Sequence, residues 1–201
     1  MRYLALASDY DGTLAHHGQL SSATIAALER LAASGRKLLM VTGRELDDLQ
    51  KVCPRLDLFA CVVAENGALL YWPDTRREEL LARPADATFV AKLRERGVGP
   101  VSVGRAIVAT WEPHQSAVLE TIHDCGLELQ VIFNKGAVMV LPAGVNKATG
   151  LASALGKLGI SRHNTVGIGD AENDHAFLAA CECGVAIWRS EERRVGKECR
   201  S

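Results

Sequence analysis

Short apolar runs rich in β-branched residues recur along the chain at 3–8, 37–42, 60–64 and 165–169, each of strand length. Between them, apolar positions repeat with helical spacing over 22–33 and 147–158. Strand alternating with helix predicts an α/β fold whose parallel sheet is covered on both faces. Ligands of such sheets collect beyond the carboxyl ends of the strands, and Asp9, Thr42 and Asp170 each stand at or just past one. Between about Tyr71 and Val145 the rhythm changes. A polar stretch, Trp72-Pro73-Asp74-Thr75-Arg76-Arg77, leads to a helix pattern near 87–96, a strand near 102–110 and a helix near 113–125. Two strands follow near 127–133 and 137–141, joined by Asn134-Lys135-Gly136. The pattern predicts a small α+β insert, drawn at 73–142, within a discontinuous core domain of 1–72 and 143–188.

The 201 residues are 48% hydrophobic and 23% charged, enough apolar material for a real core. A net charge of -1 and a pI near 6.6 give no basic field for nucleic acid, and no charge block suits a membrane surface, so neither partner is expected. The apolar N-terminal stretch is too short for a signal segment and runs at once into two carboxylates. Six cysteines without a Cys-x-x-Cys pair predict reduced thiols and a cytoplasmic location. Residues 189–201 lose all apolar periodicity and read as a translated sequencing-library adapter, so a non-native tail is expected there, with the natural chain continuing beyond Ile187 or Trp188.

The candidate chemistry starts at Asp9-Tyr10-Asp11-Gly12-Thr13-Leu14. Two aspartates one residue apart, directly after a buried strand, form a compact anionic loop, and Gly12 lets backbone approach a ligand closely. One carboxylate can attack while its neighbour moves protons. A phosphate ester resists an anion unless its charge is neutralised, so such a site also needs a divalent metal and cationic or N–H donors. Asp170 and Asp174, four apart where a helical pattern opens, are predicted on one face, and hard oxygen ligands favour Mg²⁺ over zinc. Thr42-Gly43-Arg44 offers a hydroxyl and N–H groups to phosphate, and Lys147 a point charge at a helix start. Taken singly, each of these is an ordinary turn, cap or solvated lysine. Their order and spacing together are what an assembly of independent caps would not produce.

That order resembles the haloacid dehalogenase (HAD) superfamily, specifically the Cof-like phosphatases whose type IIB cap lies between the second and third motifs. The resemblance covers residues 1 to about 187 and implies a Rossmann-like core with an inserted cap. It implies Asp9 as the nucleophile that forms an aspartyl-phosphate, and Asp11 as the acid/base. Thr42, Gly43, Lys147 and Asn173 would bind phosphate, and Mg²⁺ would sit among Asp9, the Asp11 carbonyl, Asp170 and, through water, Asp174. Glu65-Asn66-Gly67-Ala68 resembles a turn of this group in which Asn66 could reach the substrate, with Arg44 a further substrate candidate; a purely structural turn is equally compatible. The expected activity is hydrolysis of a small phosphorylated metabolite, a sugar phosphate or a phosphoglycolate-like compound. A phosphomutase of the phosphomannomutase type, or a non-catalytic binding module in a truncated chain, remains an alternative. Cap loops choose the substrate, and oligomeric state has no signature here. His16-His17 is expected in an exposed loop, the isolated histidines on the surface, Cys181 and Cys183 in packing, and Trp111 is a candidate substrate contact from the cap.

Overall fold

The computed structural model describes residues 2–84, 86–134, 136–170 and 174–187. The expected foreign tail, Trp188, Cys199 and the predicted phosphate ligand Asn173 therefore lie outside the described residues. In chain order the strands are β1 (Ala5–Ser8), β2 (Ala15–His16), β3 (Gln19–Leu20), β4 (Lys37–Val41), β5 (Cys61–Ala64), β6 (Leu69–Trp72) and β7 (Arg77–Leu80). They continue with β8 (Ser102–Val103), β9 (Val108–Trp111), β10 (Leu129–Asn134), β11 (Ala137–Pro142), β12 (Thr165–Gly169) and β13 (Cys183–Ala186). The helices are α1 (Ser22–Ala33), α2 (Leu46–Val52), α3 (Ala87–Glu95), α4 (Gln115–Asp124), α5 (Lys147–Leu158) and α6 (His175–Ala180).

Among the described residues, one sheet has the order β13-β12-β1-β4-β5-β6-β7, parallel from β13 to β5 and antiparallel beyond. β1 is the middle strand of the parallel part, and β1, β4 and β5 are buried along most of their length, which explains the unbroken apolar runs of the sequence. On one face Leu38, Met40 and Val62 pack with Leu28 of α1 and Leu46 and Leu49 of α2. On the other, Ala5, Leu39, Val41 and Val63 pack with Leu151 and Leu155 of α5 and Phe177 of α6. The sheet is thus covered twice, as the strand–helix alternation predicts, and the carboxyl ends of β1, β4, β5 and β12 share one rim.

A second, antiparallel sheet has the order β10-β11-β9-β8. One of its faces sends Val108, Val138 and Val140 against Phe89, Val90 and Leu93 of α3 and Val118 and Ile122 of α4. By the two-residue period of a strand, the other face carries Ala109, Trp111, Ala137 and Met139.

Two details differ from expectation. Residues 77–80, assigned to the insert by sequence, form β7 and pair with β6 in the large sheet, register Trp72↔Arg77 to Leu69↔Leu80. The hairpin escapes the sequence because β6 is uniformly apolar and β7 polar, so neither alternates, and its turn uses Arg76 in a left-handed conformation (φ 54°) rather than a glycine. The strand expected over 102–110 is instead two strands, β8 and β9, broken by a turn at Gly104–Ile107. Among the described residues the cysteines are unpaired, and no helix is long and apolar enough to cross a membrane.

Candidate active site

The buried strand β1 delivers Asp9 and Asp11 to the rim. Between them Tyr10 points the other way, buried, its hydroxyl donating to the carbonyls of Gly18 at 2.9 Å and Val52 at 3.3 Å, which pins the loop to the core. Gly12 has φ 91°, and a methyl group there would overlap the Asp170 carboxylate. This position needs glycine twice, for backbone angle and for space. Thr13 adds a hydroxyl bond to Asp170 Oδ1 at 3.2 Å, a contact that nothing in the sequence pattern signals.

Lys147 is the first residue of α5, whose start is fixed by a capping box between Asn146 and Thr149. That end of α5 is pressed against the turn after β5: Gly67 has φ 101°, and a Cβ on it would strike the Asn146 carbonyl. The placement buries the Lys147 stem and brings Nζ to 2.6 Å from Asp9 Oδ1 and 2.6 Å from Asp174 Oδ1. Asp174 is fully buried just before α6, and its Oδ2 accepts the backbone N–H of Asp170 at 3.0 Å. Asp170 directly follows β12 and Asp174 directly precedes α6, and their carboxylates converge.

One carboxylate oxygen each of Asp9, Asp170 and Asp174 lies within 4.8 Å of the others, so the three could hold a metal ion. The donor set fits a hard divalent cation: all oxygen, with no thiol or imidazole in the cluster. The electrostatics agree. Burial raises Asp9 to about 6, and the charges of Asp174 and Asp170 push the same way against the opposing pull of Lys147. Burial by itself would lower Lys147, but Asp9 and Asp174 outweigh it and hold its ammonium above its ordinary value. Lys147 bridges Asp9 and Asp174, and a divalent cation among the three carboxylate oxygens would add counter-charge beside it.

Thr42 directly follows β4 and is buried, its hydroxyl accepting the Arg44 N–H at 3.2 Å. Arg44 forks onto Asp11, Nε to Oδ2 at 2.6 Å and Nη2 to Oδ1 at 2.8 Å, and also reaches Asp48. Asp11 and then Asp48 hold its guanidinium above its already high ordinary value. Asp11 is therefore held at the rim beside Arg44 while Asp9 lies inside with Lys147. Asn66, the other substrate candidate, is buried: its amide donates to Met139 Sδ at 3.2 Å, and Gly43 passes close over it.

These groups open into a cleft of about 1080 Å³ between the two sheets, lined by Asp9, Asp11, Thr42, Gly43, Arg44, Lys147 and Asp170 on one side. The opposite wall is the free face of the second sheet, with Ala109, Trp111, Asn134, Ala137 and Met139. Trp111, 53% exposed, lines the cleft, as do His16 and His17, which are exposed. Cys181 is half-buried beside Gly167, its thiol raised to about 11 by burial. Sequence reasoning passes over Met139, Ala137 and the buried carboxylate of Glu65; for the first two, the strand period would have placed them on the cleft face once the sheet order was known.

Residues 6–96 and 114–196 match the model of the haloacid dehalogenase-like hydrolase family. The chain is 29% identical over 192 residues to a phosphoglycolate phosphatase of Methanothermobacter thermautotrophicus, covering 91% of this chain and 84% of that protein. It is 26% identical over 190 residues to phosphoglycolate phosphatase 2 of Saccharolobus solfataricus, covering 92% and 79%. Among solved structures, a haloacid dehalogenase-like hydrolase from Bacteroides thetaiotaomicron superposes with a TM-score of 0.79 at 16% identity, covering 92% of this chain and 88% of that one. A subclass IIB sugar phosphatase superposes with a TM-score of 0.71 at 21% identity, covering 90% and 86%.

Proposed function

Because the chain belongs to the haloacid dehalogenase-like hydrolase family, we propose that it is a magnesium-dependent phosphatase that cleaves a small phosphate monoester through an aspartyl-phosphate on Asp9. The observation that carries this reading is the buried Asp9–Lys147–Asp174 triad with Asp170 beside it, opening into a cleft large enough for a metabolite. The phosphoglycolate phosphatases among its relatives and the subclass IIB sugar phosphatase among its structural neighbours point to the substrate class, a sugar phosphate or a phosphoglycolate-like compound.

In this reading Asp9 attacks phosphorus in line with the leaving oxygen. Lys147 orients the attacking carboxylate and, with the Thr42 hydroxyl and the Gly43 backbone N–H, receives the phosphoryl oxygens. Asp9, Asp170, Asp174 and the Asp11 carbonyl would hold Mg²⁺, which when bound neutralises phosphoryl charge that would otherwise repel a carboxylate. Asp11 protonates the departing alkoxide and then takes a proton from the water that attacks the phosphoryl-aspartate, regenerating Asp9 and releasing phosphate. Its forked bond to Arg44 keeps that carboxylate at the cleft mouth. The insert acts as a cap whose inner wall meets the leaving group. A phosphate-release screen over phosphorylated metabolites, with Mg²⁺ and with chelator, tests the proposal; turnover unaffected by chelator, or no release from any monoester, would refute it.

A further inference from the structure

The carboxylate of Glu65, just past β5, is fully buried and held by main-chain donors. Oε1 accepts the N–H of Arg105 at 2.9 Å, and Oε2 those of Ala106 at 2.8 Å and Ile107 at 3.2 Å. A carboxylate withdrawn from water must be repaid in hydrogen bonds, and three converging N–H groups form the kind of concave nest that does so. The donors come from the β8–β9 turn of the second sheet, closed by Gly104 N–H to the Ile107 carbonyl at 2.9 Å. Gly104 leaves room for the grip, since a Cβ there would lie 2.7 Å from Glu65 Oε1. On the outside of the same turn, Arg105 forks onto Asp47 of α2 at 2.7 and 2.8 Å and reaches Glu78 of β7 at 3.0 Å.

Glu65 is held firmly on its own side too. It and Asn66 take left-handed conformations, φ 53° and 54°, that non-glycine residues rarely adopt and that surroundings must enforce. The Glu65 N–H donates to the Arg44 carbonyl and the Asn66 N–H to the Thr42 carbonyl, both at 3.0 Å. One loop therefore grips the Thr42-Gly43-Arg44 segment with its backbone and the insert with a side chain. From the gripped turn the chain passes directly into β9, which carries Ala109 and Trp111 into the cleft wall. The turn falls in 97–113, between the two stretches matched to the family, so that match does not account for it.

We propose that Glu65 is a positioning residue for the phosphatase reaction: gripped by the turn at Gly104–Ile107, it sets the distance between the cleft wall of the insert and the phosphate-binding rim. The inference rests on the phosphatase reading of the site. It separates substrates by how far their leaving group extends. Acetyl phosphate, with a two-carbon leaving group, depends on the rim; p-nitrophenyl phosphate must lay its ring against the wall at Ala109, Trp111 and Met139.

Glu65→Ala, Glu65→Gln and, from the opposite side of the contact, Gly104→Ala are assayed on both substrates with Mg²⁺, at a temperature where circular dichroism shows each variant folded. In Glu65→Ala and Gly104→Ala, kcat/KM for p-nitrophenyl phosphate should fall about 10- to 100-fold, mostly through KM, while acetyl phosphate stays within about threefold. Glu65→Gln, which keeps an acceptor oxygen, should lie between. Equal losses on both substrates, or a Gly104→Ala variant indistinguishable from wild type, would overturn the positioning role. Wild-type release of phosphate from neither of these nor any phosphorylated metabolite of the screen would instead sink the phosphatase reading, and this role with it.

Discussion

Replacing Lys147 with methionine keeps most of the side-chain volume and removes the charge, which isolates what the ammonium does. Nζ is 2.6 Å from a carboxylate oxygen on each of Asp9 and Asp174, with all three side chains almost wholly out of solvent. Removing one partner of a buried ion pair leaves an uncompensated charge and costs about 3–5 kcal/mol, a large share of the about 5–15 kcal/mol that holds a typical domain together. Two carboxylates lose their counter-charge here, so the upper half of that range is expected. The loss should depend on pH in a definite direction. Without the lysine, Asp9, already raised to about 6, rises further. The folded variant then binds more protons than folded wild type, and its deficit shrinks as pH falls. The assay is denaturant unfolding of both proteins in chelator, at about pH 8 and about pH 5, with m-values compared to confirm that the same surface is exposed. Adding Mg²⁺ at the higher pH should recover part of the loss. A deficit below about 1 kcal/mol at pH 8, or one that grows on acidification, would refute the reasoning about the triad.

Other consequences are as definite. Relative to Asp9→Asn, which cannot titrate, metal-free wild type should lose about 2 kcal/mol of stability as pH rises from about 4 to about 7, because a carboxyl raised from 3.8 to about 6 stabilises the fold only while protonated. Gly12→Ala, crowding Asp170 at a left-handed backbone position, should cost about 1–2 kcal/mol and weaken Mg²⁺ activation, read as a higher half-saturating Mg²⁺ concentration. Arg44→Ala, freeing Asp11 from its fork, should lower kcat for an alkyl phosphate about 10-fold or more while changing p-nitrophenyl phosphate less, since nitrophenolate leaves without a proton; equal effects on both would separate Arg44 from the acid/base step.

The ends of β1, β4 and β12 were legible from the sequence because each parallel strand is a mostly apolar run of strand length, and Asp9, Thr42 and Asp170 stand just past those runs. The pairing of Lys147 with Asp9 was legible only as membership of a motif order; the bond itself depends on α5 docking against the Gly67 turn, which no local pattern encodes. β6 and β7 were missed because a sheet edge with one apolar and one charged strand carries no alternation. Glu65 stands in the sequence only as the first residue of a turn: its burial is offset by N–H groups some forty residues further on, in a turn that lacks the usual hairpin dipeptide. The foreign character expected of 189–201 and the role expected of Asn173 lie outside the described residues.

In the proposed mechanism Asp9 carries the phosphoryl group. In Asp11→Asn the first step on p-nitrophenyl phosphate needs no proton donor, whereas breakdown of the intermediate lacks its base, so the intermediate should accumulate. Acid-quenched samples of that variant, digested and mapped by mass spectrometry, should show a hydroxylamine-labile phosphoryl adduct on Asp9. A phosphoryl adduct on any other residue, or nitrophenolate release by this variant without an adduct on Asp9, would contradict the mechanism.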